Sequence, residues 1–573
     1  MGIYHGKKDG LKLTAYTGDR AVLLAFDLDK EHIDRLAGFA IAATLPDTER
    51  KKGSDYFLKN RLNFNKPVTA KKPFGAEQWT ASDSAPFQTF HWTHYPSTGP
   101  GRYIYTLFAM YFETGTTVLP GPSVSVEVDL VPEHKGNLDI GFTRTMVSSQ
   151  AYVNRFKNAD LYPEPQTIDY DTTPFQVQYA WLGAHAREML VAFLEKCRTD
   201  PDVTVDVFAF DLDEADTIRT LCSMGSRVRV YQDNSGDHTS EDSEEPDMKC
   251  LPKPEKRRVA VHEPMAVHAL RQAGVQVKTG HFSGLSHNKV IIRRRNNLPE
   301  AILTGSANFT IRGLYVQANS ILVFEDKSVA DLYAQAFDQA WNDPRKFKAS
   351  KIALGWYDRS VGKSRFSFSF APHTTAFPLD RIADAVRDAN QSVLFAMMRM
   401  RSSGKSIDAI TGLPEREDLY SMGILQKKGE LELFKPDVGK PNFTVASTAH
   451  LAKDVPYPFS KEIGGGSGQV IHHKFVVCDF NSDNPVVFCG SSNLAASGET
   501  SNSDNLIAIY DRDIAVRYAV EAVRLYDHFR FRSLREGSTS AQPLQLKTSS
   551  DWAKTYYDPG SIRYRERIAL VGG

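Results

Sequence analysis

His287-Asn288-Lys289 is followed by 15 residues and then by Gly305-Ser306-Ala307-Asn308. His472-His473-Lys474 is likewise followed by 15 residues and then by Gly490-Ser491-Ser492-Asn493. Five residue types therefore recur at one spacing in two halves of the chain, the mark of a duplicated structural unit. In a strand, residues i and i+2 face the same way. His287 should thus project with Lys289, and His472 with Lys474, while His473 and Phe475 face the other layer. Each Gly-Ser-x-Asn follows a short apolar run (Ala301–Leu303; Val486–Phe488) and reads as a turn presenting a hydroxyl and an amide.

Two such sets facing one another bring two imidazoles, two ammoniums and two amides to one place. That inventory suits a phosphate: cations and amides bind its oxygens, and the imidazoles do the chemistry. One histidine on a strand is ordinarily a satisfied core residue, and one G-S-x-N an ordinary turn. The matched repeat is what argues for function. The candidate catalytic residues are His287, Lys289, Asn308, His472, Lys474 and Asn493, supported by Ser306 and Ser491.

Working outward from the motifs, strands alternate with helices, which indicates an α/β layered architecture. In the first half, Trp181, His185, Met189, Leu190, Phe193 and Leu194 recur at helical spacing. The strand Val203–Phe210, a helix after Asp213, the strand Arg227–Tyr231, a helix near Met265–Ala273 and the strand Val275–Thr279 follow. The order recurs with a helix at Pro378–Ala389, strands at Ser392–Met397, Val470–Val477 and Asn505–Tyr510, and a helix at Asp511–Arg532. Before them, Tyr103, Tyr105, Leu107, Ala109 and Tyr111 alternate as on a half-buried strand, and predict an all-β sandwich of immunoglobulin or fibronectin type. Its aromatics Phe90, Trp92 and Tyr95 are expected in the core. The boundaries expected are a sandwich over 1–135, a linker over 136–169, α/β units over 170–350 and 351–535, and a surface-wrapping segment over 536–573. Asp233–Asp247 (acidic) with Lys253–Arg258 (basic) reads as a solvated excursion, and Gly464–Gly468 as a flexible loop.

Composition narrows the partners. Lys+Arg and Asp+Glu are both 69 in 573 residues, so no overall field favours nucleic acid or an anionic membrane. Five cysteines without a C-x-x-C pair read as reduced thiols. The start lacks the apolar core of a signal peptide, and no run of about 18 apolar residues occurs. A cytoplasmic location is expected, with peripheral membrane contact compatible with it. Gly362-Lys363-Ser364 lacks the earlier glycine of a P-loop, no G-x-S-x-G elbow occurs, and the other histidines show no zinc-site spacing.

At the motifs the chain resembles the phospholipase D superfamily, known by H-x-K-x4-D…G-S-x-N. The second copy matches fully, with Asp479 in place. The first has Arg294 there and looks like the H-K-N variant of the tyrosyl-DNA phosphodiesterase branch. The resemblance spans about residues 170–535 and implies two phospholipase D-like α/β/α units forming a pseudo-dimer around one site, with oligomerisation not required. The sandwich and the final segment look like a bacterial phospholipase D-like group. In the family the Asp of the motif is mainly structural, and the first histidine is usually the nucleophile, here His287.

Glu499–Asn505 is similar to a family segment whose acidic residue orients a catalytic histidine. Spacing favours Asp504, with Glu499 the rival, and Gln317 or Asn319 lies comparably in the first copy. Because Asp479 and Asp504 accompany the second copy, a carboxylate beside His472 is expected to favour its protonated form, as a general acid requires. The implied activity is hydrolysis of a phosphodiester through a phosphohistidine. No metal or other cofactor is expected, since Lys289 and Lys474 supply the positive charge. A phospholipid headgroup is slightly favoured as substrate. The alternatives are a metal-independent nuclease and an inactive phosphate-binding module.

Overall fold

The structure is a computed structural model. It describes residues 2–45, 55–70, 79–96, 99–130, 137–144, 149–157, 159–163, 166–235, 259–398, 403–425, 443–447 and 470–572. Most of the charged excursion after Ser235 and all of Gly464–Gly468 lie outside these residues.

The alternating N-terminal runs form two four-stranded antiparallel sheets. One contains Ile3–Lys8, Leu11–Thr17, Val22–Leu28 and His91–His94; the other contains Val118–Leu130, Gly101–Phe112, Leu36–Thr44 and Tyr56–Phe57. Leu13, Leu24, Phe26, Phe39, Tyr105 and Leu107 close a shared core, each with no exposed surface. Of the three aromatics expected there, Phe90 is buried, whereas Tyr95 is 46% exposed. Tyr95 follows the strand His91–His94, so the alternation no longer dictates where it points.

The C-terminal residues do more than wrap the surface. Ala553 and Tyr556 enter the sandwich core, and Trp552 donates its indole N–H to the Leu36 carbonyl at 3.0 Å. The Arg567 guanidinium pairs with Asp27, and the Tyr557 hydroxyl donates to the Leu28 carbonyl at 2.6 Å. This segment lacks strand periodicity because its contacts come from a 3-10 turn, Ser550–Tyr556, and a helix, Ile562–Val571.

The duplication is visible strand by strand. The first-half sheet runs in the order Leu138–Phe142, Ser320–Phe324, Leu298–Gly305, Val290–Arg295, Val203–Ala209, Val228–Gln232, Gln276–Thr279. The second-half sheet repeats it as Ser364–Ala371, Asp504–Tyr510, Val486–Gly490, Lys474–Cys478, Ser392–Met397, Tyr420–Leu425, Phe443–Ser447, with Tyr357–Val361 added at the edge. In both, the last three strands are parallel and the others antiparallel. Leu138–Phe142 lies in the stretch expected to be a linker, yet it pairs with Ser320–Phe324 as an edge strand.

The halves share one core. Phe324 meets Phe366 and Phe368 with ring centroids 5.3 and 5.6 Å apart, and Tyr333 meets Phe370 at 4.9 Å. Burying each such side chain contributes about 1.5–3 kcal/mol, enough to hold the motif-bearing strands in fixed register. The long helix Arg512–Glu536 packs beneath the second sheet through Val516, Val520 and Val523, the face its periodicity predicts. Among the described residues no helix is long and apolar enough to cross a membrane.

Candidate active site

Each His-x-Lys enters its strand from the opposite half of the molecule. The His287 N–H donates to the Ser503 carbonyl and Ser503 N–H to the Leu285 carbonyl, both at 2.8 Å. Symmetrically, Ala318 N–H donates to the Val470 carbonyl at 2.8 Å and His472 N–H to the Ala318 carbonyl at 3.1 Å. These crossed pairings end the regular strands at Val290 and Lys474, so the histidines sit just before the strands rather than within them. The expected parity holds: His473 faces away, its Nε2 3.1 Å from Glu521 of the long helix.

The Gly-Ser-x-Asn turns are built alike. A Cβ on Gly305 would lie 2.2 Å from the Ser320 carbonyl oxygen, and one on Gly490 2.4 Å from that of Asn505. Only glycine tolerates this approach, and both positions have φ near +145°, at +149° and +140°. The Ser306 hydroxyl then donates to Asn319 Oδ1 at 2.8 Å and accepts from Ser320 N–H at 3.0 Å. The Ser491 hydroxyl donates to Asp504 Oδ1 at 2.8 Å and accepts from Asn505 N–H at 2.9 Å.

The acceptors held by these serines reach across to the other half's imidazole. His287 Nδ1 lies 2.7 Å from Asp504 Oδ1. His472 Nδ1 lies 2.9 Å from Asn319 Oδ1 and 3.0 Å from the Ser306 carbonyl. A carboxylate and a carbonyl only accept, so both Nδ1 atoms carry the proton and both Nε2 atoms present a lone pair when neutral.

One sequence expectation changes here, and the contacts choose between two pairs of alternatives. The carboxylate of the second copy serves His287, not His472, because the halves exchange partners. The first-copy partner is Asn319 rather than Gln317. Both Asp504 and Asn319 lie 13 residues after the motif serine, a count that separates them from Gln317. Glu499 orients neither histidine: it is buried beside Ser492, 3.6 Å from His373, and burial pushes its carboxyl up to about 8. Asp479 accepts the backbone N–H groups of Asn390, Gln391 and Ser392 at 2.9, 2.7 and 2.9 Å. Arg294, its counterpart, instead pairs with Asp206 and Asp338 at 2.6 and 2.9 Å.

Lys289 and Lys474 each donate to the carbonyl of the histidine two residues before, the second at 2.8 Å. Both lysines are almost wholly buried. Burial pushes Lys289 down to about 8 against the attraction of Asp504 and Asp211. Lys474 is pushed well below its usual value by burial and by Lys289. His472 falls well below its ordinary value through burial, Lys474, Lys289 and His287. His287 falls through burial and Lys289, opposed by Asp504. Burial pushes the Asp504 carboxyl up, but His287 and Lys289 outweigh it and keep it an anion. The crossed contacts bring all four basic groups into one site, and their mutual repulsion favours an anion.

Two neighbours escaped the sequence reading. The Phe210 ring lies 4.9 Å from the His287 ring and 4.7 Å from Lys289 Nζ, and Asp211 accepts from the Asn308 amide. Both stand just past the C-terminal end of Val203–Ala209, where sheets with parallel strands commonly place ligand-facing groups. Asn308 is buried, and Asn493 occupies the matching turn.

A family model described as "Cardiolipin synthase, PLD-like domain" matches residues 190–341 and 382–526, just over half the chain. The chain belongs to this phospholipase D-like family. The two matched stretches each contain one His-x-Lys and one Gly-Ser-x-Asn. Among relatives, mitochondrial cardiolipin hydrolase of Xenopus tropicalis is 26% identical over 147 residues, which are 26% of this chain and 57% of that protein. A phospholipase D of Rickettsia bellii is 36% identical over 69 residues, 12% of this chain and 32% of that one. The chain therefore spans about a third to just over half of these relatives' lengths. Among solved structures, phosphatidylserine synthase of Haemophilus influenzae is 11% identical, with TM-score 0.41, covering 67% of this chain and 91% of that chain. Yeast tyrosyl-DNA phosphodiesterase is also 11% identical, with TM-score 0.31, covering 56% and 87%.

Proposed function

We propose that this chain is a phosphodiesterase that hydrolyses a phospholipid headgroup bond through a phosphohistidine. The observation that carries the reading is the asymmetric pair of crossed contacts, Asp504 on His287 and Asn319 on His472. In the first step, the His287 Nε2 lone pair forms a P–N bond while the P–O bond to the leaving alcohol breaks. Protonated His472 gives its Nε2 proton to that oxygen. In the second, neutral His472 takes a proton from water, whose oxygen forms the new P–O bond as P–N breaks. Asp504 fixes the tautomer of His287 and stabilises the positive charge that develops as it bonds phosphorus, as the third member of a catalytic triad does. His472 faces only neutral acceptors, so its imidazolium is the stronger acid. Burial and repulsion from Lys474 and Lys289 hold His472 neutral in the free site, and the substrate's negative charge opposes both.

The lysines take the role of charge stabilisers. Lys289→Ala and Lys474→Ala are each expected to lower turnover about a hundredfold, the scale for removing one preorganised donor from a phosphoryl transition state. Steady-state assays of both variants check this, and full activity in either would remove that lysine from the site.

Lipid is favoured because the curated relatives are named as cardiolipin hydrolase and phospholipase D. The test is a parallel assay on phosphatidylcholine and cardiolipin vesicles, single-stranded DNA, duplex DNA and RNA, with and without EDTA. Vesicle cleavage should survive chelation, since ammonium groups provide the positive charge, and should vary little with salt. A nuclease would lose affinity steeply between low and physiological salt as phosphate contacts release counterions. DNA or RNA cleavage with vesicles untouched overturns the lipid reading. Loss in EDTA restored by Mg²⁺ overturns the role given to the lysines.

A further inference from the structure

A cavity of about 1040 Å³ opens where the sandwich meets the helices Ser149–Phe156, Gln176–Thr199 and Arg512–Glu536. No motif His, Lys, Ser or Asn lines it among the described residues. Its wall instead carries seven arginines and two carboxylates, Asp19 and Glu521; of the arginines, Arg20 pairs with Glu188, Arg187 with Asp216 and Arg524 with Glu521.

Both carboxylates are already engaged. Glu521 holds Arg524 at 2.7 Å and His473 at 3.1 Å; Asp19 accepts from His185 at 3.0 Å and from Phe142 N–H at 2.8 Å. Two guanidiniums stand over aromatic rings: Arg144 is 4.8 Å from the centre of Trp181, and Arg61 is 5.2 Å from Trp79 and 5.0 Å from Phe531. A cation over an aromatic face is attracted by the ring quadrupole and can still donate its N–H groups to an anion, as the Arg144 side chain is placed to do. Among the described residues neither Arg144 nor Arg155 is paired with a carboxylate. Burial and the like charges of Arg20, Arg524 and Arg155 push Arg144 below its usual range. A bound anion would relieve this crowding.

The aromatic side of the wall narrows the ligand. Trp79 and Tyr95 are each 46% exposed, so ring surface remains accessible beside the cations. His528 also lines the cavity, is 5% exposed, and its Nε2 has no hydrogen-bond partner among the described residues. At Ala184 the wall helix breaks, with φ +45°, and nearby the Leu182 carbonyl accepts Arg144 N–H at 2.8 Å. Backbone departures of this sort persist where the surroundings enforce them, often at ligand sites. The volume stands just above the usual range of small-molecule sites, about 300–1,000 Å³, and has room for a base, a sugar and more than one phosphate.

We propose that this cavity binds a nucleoside phosphate, with its phosphates on Arg144 and Arg155 and its base against the rings of Trp79 and Tyr95. A simple anion would use the arginines but leave the rings bare. A free nucleotide and the end of a single strand share the required chemistry.

The test titrates the full chain with ATP, a ten-nucleotide oligo-dT and inorganic pyrophosphate at physiological salt, read by calorimetry and tryptophan fluorescence. ATP or the oligonucleotide should bind at least about tenfold more tightly than pyrophosphate, the scale of one base stacked on an aromatic ring. Arg144→Ala, Arg155→Glu and Trp79→Ala should each weaken binding about tenfold or more. His287→Ala should leave it unchanged, which separates this site from the phosphodiesterase reading. Arg155 and Trp79 are exposed, so these two variants test the site without disturbing a core. ATP bound without the oligonucleotide assigns a free nucleotide, and the reverse assigns a strand end. Absence of binding by both overturns the proposal, as does binding that survives all three cavity variants or is lost in His287→Ala.

Discussion

His287→Ala is expected to abolish the covalent phosphoryl-enzyme and to lower turnover by roughly four to six orders of magnitude, the range for deleting a nucleophile. The warrant is the orientation of the imidazole. Asp504 takes its Nδ1 proton at 2.7 Å, so Nε2 presents a lone pair, and the Phe210 ring edge-on at 4.9 Å limits where it swings. Burial and Lys289 hold the group below its ordinary value, so it is neutral and able to attack near pH 7. His472→Ala should behave differently. With an activated leaving group that needs no proton, it should still form the adduct and then retain it, because nothing deprotonates water. Rapid quenching followed by peptide mapping distinguishes the two. A phosphoryl group recovered on His472 of the wild type would reverse the assignment.

What the sequence revealed follows from which interactions are local. The His-x-Lys parity survives because two residues of extended backbone fix it, whatever the partner strand does. The two sheets were legible because their alternating helices and strands repeat in one order. The crossed pairing was not legible. Nothing near His472 says that its acceptor is Asn319, 153 residues earlier, since that contact exists only once the halves face each other. Asp504 was found, but assigned to the histidine of its own copy; proximity in sequence stood in for proximity in space. Phe210 and Asp211 carry no spacing signal because they sit on a connection, whose path the flanking strand does not determine. The same holds for Leu138–Phe142, which reads as linker until the edge of a seven-stranded sheet is there to receive it.

Asp504→Asn is expected to lower turnover by two to three orders of magnitude while leaving the fold intact. The magnitude is that of an adjacent opposite charge on a buried group, one to three pKa units. The molecule already contains the design this variant would create. Asn319 accepts from Ser306 and from His472 through one oxygen, as Asp504 accepts from Ser491 and His287. The substitution therefore retains acceptor and tautomer and removes only the charge beside the His287 imidazole. The reverse exchange is blocked. Asn319 Nδ2 donates to the Gly313 carbonyl at 2.8 Å, so a carboxylate at 319 would face an oxygen, whereas Asp504 Oδ2 has no such partner. The asymmetry between the histidines is thus built into the two turns, and His287 is the one supplied with a counter-charge. The pH profile gives a readout that a merely structural role would not move. Asp504 raises the His287 value against burial and Lys289, so its loss should shift the acid limb of kcat/KM to lower pH even as the plateau falls. A plateau lowered without that shift would mean that Asp504 only positions the ring, and an unchanged rate would remove it from the mechanism.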